Sequence, residues 1–371
     1  MDFEYFFKRI EAQYQSALPF VAYRKPAETE VKALFQKNNE KHTAQTFTEK
    51  GFVFSPFNAI DNTVLIPLEV SESFSFSFSP VPDYKHEFLN SEENPLLKQQ
   101  HINLVEKGIE AIKANRFKKV VLSRTETVPI SETSPIPIFK RLLQKYSSAF
   151  VYCWYHPKVG LWLGATPETL IKIEGQSLSI MALAGTQSYN GTLQVNWQEK
   201  EIQEQKFVTD FIVEQLSPLT GHIKISATET VKAGNLVHLK NNISARLKTA
   251  STLTKIISVL HPTPAVCGYP KNEAKHFILK NEGYNRTFYS GFLGELNFET
   301  TKAPRSGKRN IENRAYAVAQ KSTQLYVNLR CMQIAKSQAV IYVGGGITKD
   351  SNAESEWRET EAKSLIIRSV L

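Results

Sequence analysis

The chain has 371 residues, of which 42% are hydrophobic, and it carries a formal net charge of +9. This length supplies ample apolar material for a buried core, so a soluble globular protein is expected. The charge suggests a nucleic-acid partner, but Lys and Arg are scattered. The one dense basic cluster, at 301–314, has no interleaved aromatic residues. We interpret it as a solvated loop and predict no nucleic-acid partner.

The N-terminal residues mix charged and apolar side chains, and they lack the apolar run and small-residue cleavage site of a signal peptide. No stretch approaches the roughly 18 apolar residues that a membrane span needs. We expect a cytoplasmic protein with no membrane partner, either a monomer or a weak homo-oligomer. The three cysteines, Cys153, Cys267 and Cys331, are far apart and without metal-site spacing, which predicts free, buried thiols.

The first part of the chain, 1–94, predicts a helix and several short strands. Its segment SESFSFSFSP, at 71–80, alternates serine with phenylalanine, which is typical of a strand with one apolar face. We interpret this pattern as sheet packing and not as an aromatic binding platform. A long helix is predicted from about Pro95 to Asn115.

Beyond that helix, strands alternate with amphipathic helices. The predicted strands are KKVVLSRTETV (118–128), AFVYCWYHP, GLWLGATPETLIKIEG, LSIMALAGT, YSGFLGELNF, QLYVNLRCMQI and AVIYVGGG. Helices are predicted over about 132–146, 197–216, 247–259 and 271–281, with a last one at the C-terminus. Strand pairs of this kind, with helices between groups, favour an α+β fold with mostly antiparallel sheet.

The segment GGGITK, at 344–349, invites a nucleotide-binding interpretation, but its spacing argues against one. A phosphate loop needs GxxxxGK followed by Ser or Thr, whereas Lys349 is followed by Asp350. The dinucleotide fingerprint GxGxxG also fails, because no third glycine stands in register. Two interpretations stay open: glycines that let a ligand approach backbone amides, and a simple tight turn.

Two predicted helices each begin with a pair of glutamates three residues apart. On helical geometry, Glu356 and Glu359 share a face with the apolar residues that follow, and Glu201 and Glu204 do the same. A desolvated carboxylate is costly unless it is paired or bound to a metal, so a hard cation such as Mg²⁺ is favoured. The alternative is that acidic residues simply stabilise each helix N-terminus. The matching of two pairs favours the metal.

A set of short motifs then resembles a known family. They are KVVLSR (119–124), GATPE (164–168), LAGT (183–186), HPTPAVCG (261–268), LRC (329–331), VGGGIT and EWRETEAK. In this order they resemble the chorismate-utilising enzymes, most closely the isochorismate synthase branch, over about 95–371. The region 1–94 matches weakly, and we expect both regions to form one structural domain.

The resemblance implies a layered α/β fold with large antiparallel sheets and a Mg²⁺-dependent site in the cleft between them. The small-molecule substrate would be chorismate, whose hydroxyl is lost from C4 as water attacks C2. The implied general base is Lys119, and the implied general acid is Glu168, held protonated in a shielded pocket. A lysine acts as a base only when neutral, which burial favours. On residue pattern alone, Lys119 would be a surface residue, and a surface glutamate at the end of a strand is the alternative for Glu168.

The resemblance also assigns the remaining site residues. Glu204 and Glu359 would bind Mg²⁺ directly, and Glu201 and Glu356 directly or through water. The substrate-binding residues would be Gly185, Thr186, His238, Ala265, Arg330, Gly344 and Lys363, with Arg330 mounted on a strand.

Isochorismate synthase activity has three alternatives. The ammonia-using siblings usually lack a basic residue at the position of Lys119, so they are disfavoured. Salicylate synthase shares that lysine and is the second candidate. A basic binding protein without catalysis is the third. The chain departs from the family at Gln187, where a basic residue is common, and in a long basic insertion at 299–322.

Overall fold

A computed structural model of the protein describes residues 3–80, 94–132, 134–301 and 319–371. These residues form seven α-helices: α1 Phe3–Gln15, α2 Pro95–Lys113, α3 Ile136–Lys145, α4 Glu199–Leu216, α5 Leu253–Leu260, α6 Lys271–Asn281 and α7 Ala353–Arg368. The strands are β1 Phe20–Arg24, β2 Glu30–Gln36, β3 His42–Thr43, β4 Gly51–Ser55, β5 Val64–Pro67, β6 Ser71–Ser77, β7 Lys119–Pro129, β8 Phe150–His156, β9 Gly160–Thr166, β10 Thr169–Glu174, β11 Ser177–Ser188, β12 Lys224–Ile225, β13 Glu229–Ala233, β14 Leu236–Arg246, β15 Gly268–Tyr269, β16 Phe292–Thr301, β17 Ala319–Val327, β18 Cys331–Ala335 and β19 Gln338–Ile347.

The strands form two large sheets. The first, sheet A, has the order β15-β7-β19-β18-β9-β8-β1-β2-β6. The second, sheet B, has the order β12-β14-β11-β10-β17-β16-β4-β5-β3, and β13 also pairs with β14. Every strand pairing among the described residues is antiparallel. The predicted α+β fold with antiparallel sheets is therefore confirmed.

The two sheets pack face to face over an aromatic core. Phe150 of sheet A stacks on Tyr326 of sheet B with ring centroids 4.0 Å apart, and Phe54 of sheet B meets Trp154 of sheet A at 5.0 Å. Alternate residues of β8, such as Val151 and Cys153, point to the opposite face. A strand buried on both faces reads as a continuous apolar run, which explains the sequence AFVYCWYHP.

Helices cover the outer faces of both sheets. The outer face of sheet A packs against α1, α3 and α7, and that of sheet B packs against α4 and α5. The serine–phenylalanine segment behaves as predicted, because Phe76 of β6 is buried against Phe6 of α1 at 4.5 Å. The predicted helix at 95–115 is also confirmed as α2, whose N-terminus is capped by the side chain of Asn94.

Two predicted strands are wrong as single elements. GLWLGATPETLIKIEG divides into β9 in sheet A and β10 in sheet B, and QLYVNLRCMQI divides into β17 in sheet B and β18 in sheet A. The chain crosses from one sheet to the other at each break. The first crossing contains Glu168, and the second contains Arg330, whose backbone is left-handed with φ 48°. Arg330 therefore precedes β18 and is not mounted on a strand.

Other sequence predictions fall partly outside the described residues. The basic cluster at 301–314 and most of the stretch 299–322 lie in the undescribed range 302–318. All three cysteines are free and buried, as predicted. In the described ranges, no helix is both long enough and apolar enough to cross a bilayer.

Candidate active site

Glu168 lies at the bottom of a cleft between the two sheets. Its side chain is 3% exposed, and its backbone carbonyl accepts a hydrogen bond from the Val327 amide at 3.0 Å, which ties the two crossings together. Burial raises the pKa of Glu168 to about 8, although the positive charges of Lys119 and Arg330 act in the opposite direction. A carboxyl group with this pKa is protonated at neutral pH and can donate a proton.

Lys119 begins β7 and is fully buried, so the surface interpretation of this residue is wrong. Its neighbour Lys118, just before the strand, is exposed. The Lys119 Nζ lies 3.0 Å from Oε1 of Glu204 but has no well-aligned hydrogen bond within the described protein. A buried amine with unused hydrogen-bonding capacity is a suitable proton acceptor or donor for a bound molecule.

The glycine run ends β19 beside these groups. A Cβ atom on Gly346 would lie 2.1 Å from Oε1 of Glu204 and 3.2 Å from Cε of Lys119. A Cβ atom on Gly345 would lie 3.4 Å from Oε2 of Glu356 and 3.5 Å from Oε1 of Glu359. Any side chain here would fill the space among the carboxylates. The glycines therefore keep a small acidic chamber open, and the tight-turn interpretation is not needed.

Gly344 presents its backbone to the cleft. Its carbonyl accepts a hydrogen bond from the Lys363 Nζ at 2.9 Å. Gly344 lies opposite Ser123 of β7, and the Ser123 amide donates a hydrogen bond to the Glu282 carboxylate at 2.8 Å. The pair Ser123–Gly344 is therefore not hydrogen-bonded across the strands. Strand β18 pairs with β19 only as far as Tyr342. The Gly344 amide thus faces the open side of β19, where an anion can reach it.

Three of the four predicted acidic residues converge around these glycines, and each is paired with a lysine. The Lys200 Nζ lies 2.5 Å from Glu356, and the Lys363 Nζ lies 2.5 Å from Glu359. Burial and then repulsion from Glu359 raise the pKa of Glu356 to about 7. Burial alone would also raise the pKa of Glu204, but Lys119 and the other lysines lower it overall.

Glu201 has a different position. Its carboxylate accepts a hydrogen bond from the backbone amide of Gln198 at 2.9 Å, completing a capping box at the start of α4. This contact is the helix-terminus role that the sequence offered as the alternative for each acidic pair. In the pair Glu201–Glu204, one residue caps the helix and the other faces the cleft. A contact of Glu201 with a metal through water stays a prediction.

The converging acids fit a hard divalent cation in the chemistry of their donors. All the available ligand atoms are carboxylate oxygens, the type that Mg²⁺ prefers. Oε2 of Glu356 is buried without a hydrogen-bond partner, and a cation would satisfy it and relieve its repulsion from Glu359. Within the described ranges, however, no three acidic, histidine or cysteine side chains already form a closed metal cage. Binding would require the lysines to give up their carboxylates.

A β-bulge shapes the opposite wall. The register of β11 against β14 shifts between Ala184 and Gln187, and Gly185 at this bulge has φ 71°. The Gly185 carbonyl lies 2.8 Å from Nδ1 of His238, and the Thr186 hydroxyl lies 3.3 Å from the same atom. Burial lowers the pKa of His238 to about 3, so the ring is neutral. The neutral ring carries its proton on Nδ1, which donates to the Gly185 carbonyl. The unpartnered Nε2 is therefore an acceptor.

The cleft encloses a cavity of about 640 Å³, counting its open mouth. Of the predicted site residues, those lining it are Glu168, Gly185, Thr186, His238, Glu204, Ala265, Arg330, Gly344 and Lys363. Sequence reasoning missed Tyr289, Ser290 and Leu329, which also line it, and Lys200 beside it. Lys200 had a usable signal, because it stands next to an acidic pair in the first turn of α4. Tyr289 had none, since a loop brings its hydroxyl to Gly344.

The chain is similar to known proteins over most of its length. Two family models, both described as chorismate binding enzyme, match residues 28–303 and 315–369. The chain is 28% identical over 276 residues to the salicylate biosynthesis isochorismate synthase of Pseudomonas aeruginosa, covering 72% of this chain and 53% of that protein. It is 29% identical over 280 residues to isochorismate synthase MenF of Pasteurella multocida, covering 72% of this chain and 60% of that protein.

The fold matches a solved structure over nearly the whole chain. The menaquinone-specific isochorismate synthase MenF of Escherichia coli superposes with a TM-score of 0.75 at 18% identity, covering 95% of this chain and 88% of that chain. The chain spans just over half the length of the curated relatives it matches. The first family model alone covers well over half of this chain, and the chain therefore belongs to the chorismate-binding enzyme family.

Proposed function

We propose that this protein is an isochorismate synthase, which converts chorismate to isochorismate. The observation that carries the proposal is a buried lysine, Lys119, that acts electrostatically on Glu168, a carboxyl group that lines the cleft and is protonated at neutral pH. The reaction needs a base and an acid at different ring carbons. Two relatives that are named isochorismate synthases support the same choice.

In the proposed reaction, a water molecule attacks C2 of the ring and transfers a proton to the Lys119 amine. The two ring double bonds shift by one position, and the C4 hydroxyl leaves as water with a proton from Glu168. The hydroxyl is thereby lost at C4 and gained at C2, so no oxidant or reductant is needed. Acid and base catalysis of this kind typically contributes about 10²- to 10⁴-fold each.

Substrate binding is assigned to cations and amides on the other wall. Arg330, Lys363 and the Gly344 amide would bind one substrate carboxylate, since charge-assisted hydrogen bonds are strong in a buried site. The acceptor Nε2 of neutral His238 would bind a substrate hydroxyl. Gly185, Thr186 and Ala265 would shape the pocket around the ring.

The proposed cofactor is Mg²⁺, held by Glu204, Glu356 and Glu359, with Glu201 at most through water. When bound, it supplies positive charge for the ring carboxylate of the substrate. The lysines that pair with these acids, Lys200 among them, would give up the carboxylates when the metal binds.

The proposal extends to the setting of the reaction. We assign the protein to the cytoplasm, as a monomer or weak homo-oligomer. Its partner would be a small-molecule substrate, with no nucleic-acid or membrane partner. The product would serve menaquinone or siderophore synthesis, since relatives in the family include a menaquinone-specific and a 2,3-dihydroxybenzoate-specific enzyme.

The test is to incubate the purified protein with chorismate and MgCl₂, with and without a chelator, and to separate the products by chromatography. Isochorismate as the product, formed only without chelator, is expected. Salicylate with pyruvate would identify a salicylate synthase instead. Unchanged chorismate, together with salt-dependent binding of DNA or RNA, would identify a binding protein.

A further inference from the structure

A second cavity adjoins the active site behind Arg330. It has about 820 Å³ of empty space, and three residues line both cavities: Pro167, Leu183 and Arg330. Its other walls come from the turn between α3 and β8, from the β13–β14 hairpin and from Ile366 of α7. Arg330 thus lies between the active-site cavity and the second cavity.

A third cavity, of about 1080 Å³, continues the second one outward. The two share Tyr146, Ser148, Lys232, Gly234 and Ile366. Ser148 and Lys232 are exposed to solvent, whereas Arg330 lies at the inner end. The three cavities therefore lie next to one another in a row, which we call the side passage, from the surface at Ser148 and Lys232 to the active site.

The outer part of the side passage carries charge of one sign. Its outer two cavities are lined by Lys145, Lys232, Lys240 and Arg330, and by no aspartate or glutamate among the described residues. Lys240 pairs with Glu229 at 2.8 Å outside the lining. Lys232 has no carboxylate partner in the described ranges, and its Nζ lies 3.8 Å above the ring of Tyr189. Lys232 is thus a cation at the mouth whose charge no described carboxylate neutralises.

The remaining walls of the second cavity are mostly apolar. Met181, Leu183, Val231 and Ile366 line the second cavity. Cations along an apolar, low-dielectric wall focus the electrostatic potential and raise the local concentration of an anion. A small ring with two carboxylates and little other charge fits both features: the carboxylates interact with the cations, and the ring contacts the apolar side chains.

We propose that the side passage is the entry route of the dianionic substrate, and that Lys232 steers it toward Arg330. The inference rests on the proposed function for the identity of the substrate. It assigns Lys232 a role in association only, because no atom of the catalytic pair lines the outer two cavities. Steering accelerates encounter and is screened by salt, whereas the chemical step is unaffected.

The first experiment measures kcat and kcat/KM for Lys232→Glu at several NaCl concentrations, with Lys224→Glu as the control. Lys224 is an exposed lysine of β12 in the same sheet, away from the side passage. We expect Lys232→Glu to lower kcat/KM about tenfold at low salt with kcat unchanged, and the loss to shrink as salt rises. The control is expected to match wild type. A loss carried by kcat, or no loss, would overturn the steering role.

The second experiment does not depend on turnover. The three native cysteines are buried, so Ser148→Cys introduces a single accessible thiol at the mouth. A negatively charged methanethiosulfonate reagent is expected to modify it faster than a positively charged one of similar size, and adding Lys232→Glu should reverse that preference. Equal rates for the two reagents would mean that the mouth does not attract anions, whatever reaction the enzyme catalyses.

Blocking the mouth completes the test. A bulky thiol adduct on the Ser148→Cys protein is expected to reduce turnover at least tenfold. The same adduct on Ser75→Cys, an exposed position of the edge strand β6, should leave turnover intact. Full turnover with the mouth blocked would show that the substrate enters elsewhere. Absence of turnover in the unmodified variant and in wild type would refute the proposed function, while the reagent preference would still report on anion entry.

Discussion

Glu168 acquires its raised pKa from burial in the cleft, close to the buried Lys119. The burial that raises the pKa of Glu168 also removes Lys119 from water, and each residue interacts electrostatically with the other. In water, a glutamate would be ionised at neutral pH and could not donate a proton. The proposed role of Glu168 as a proton donor therefore depends on the shielding of the cleft.

The pH dependence of the reaction should report Glu168. Because its pKa is about 8, the acid form is present below that pH and is lost above it. We expect kcat/KM to fall about tenfold per pH unit above pH 8. Glu168→Gln should lower turnover about 10²- to 10⁴-fold and remove this limb from the residual activity. An unchanged high-pH limb in Glu168→Gln would assign it to another group.

Protein stability should respond to the same group. The folded state holds the Glu168 proton more tightly than the unfolded chain, whose glutamate has an ordinary pKa of 4.5. The contribution is complete below pH 4.5 and is lost as pH rises toward about 8. Denaturant unfolding of wild type and Glu168→Gln across this range should show a flatter pH dependence for the variant. Parallel curves would contradict the raised pKa.

Lys119 allows a comparison with its neighbour. Lys119→Met keeps a similar apolar length but removes the amine, and we expect turnover to fall about 10²- to 10⁴-fold. Lys118→Met changes an exposed residue one position earlier and should retain full activity. Circular dichroism would check that both variants fold. Near-normal activity of Lys119→Met would exclude the amine as the general base.

At the scale of elements, α4 and α7 begin with the same acidic spacing but cap differently. The side chain of Asn352 caps α7 by accepting a hydrogen bond from the Ser355 amide at 3.0 Å. Neither Glu356 nor Glu359 is therefore needed as the cap of this helix. In α4, Glu201 belongs to the capping box. The two helices thus contribute three carboxylates to the chamber, and not four.

This asymmetry predicts different effects on metal binding. Glu204→Gln and Glu359→Gln should each weaken Mg²⁺ binding at least tenfold, as measured by titration calorimetry. Glu201→Gln should affect the metal least and instead lower the free energy of unfolding by about 1 kcal/mol through loss of the cap. Removal of Mg²⁺ with a chelator should abolish turnover in wild type. A Glu201 variant that lost the metal as completely as the other two would contradict the assignment.

At the scale of the whole molecule, one buried carboxylate links the two sheets. Glu295 of sheet B accepts a hydrogen bond from the Tyr23 hydroxyl of sheet A at 2.6 Å and pairs with Lys25 at 2.5 Å. The Glu295 side chain is almost completely buried. Because the cleft lies between these sheets, their relative position sets the distance between the groups that line it.

Loss of that link should destabilise the fold. Glu295→Ala leaves the buried Tyr23 hydroxyl without its acceptor, and we expect the free energy of unfolding to fall by about 3 kcal/mol. Denaturant titration would measure the change. Glu299→Ala removes an exposed glutamate of the same strand, paired with Lys50, and should leave the unfolding midpoint unchanged. Equal effects in the two variants would show that the buried link does not hold the sheets.

The residue sequence by itself determined the α+β class, most helices and many of the residues that line the cleft. Alternation and helical spacing are local signals, and the short motifs containing Lys119 and Glu168 lie in order along the chain. Only the tertiary structure decided where β9 and β17 end, because a strand buried on both faces has the same continuous apolar pattern in either sheet. It also decided that Glu201 caps a helix while Glu204 faces the cleft. The side passage was equally beyond local patterns, since its walls come from segments far apart in sequence that meet only when the two sheets pack together.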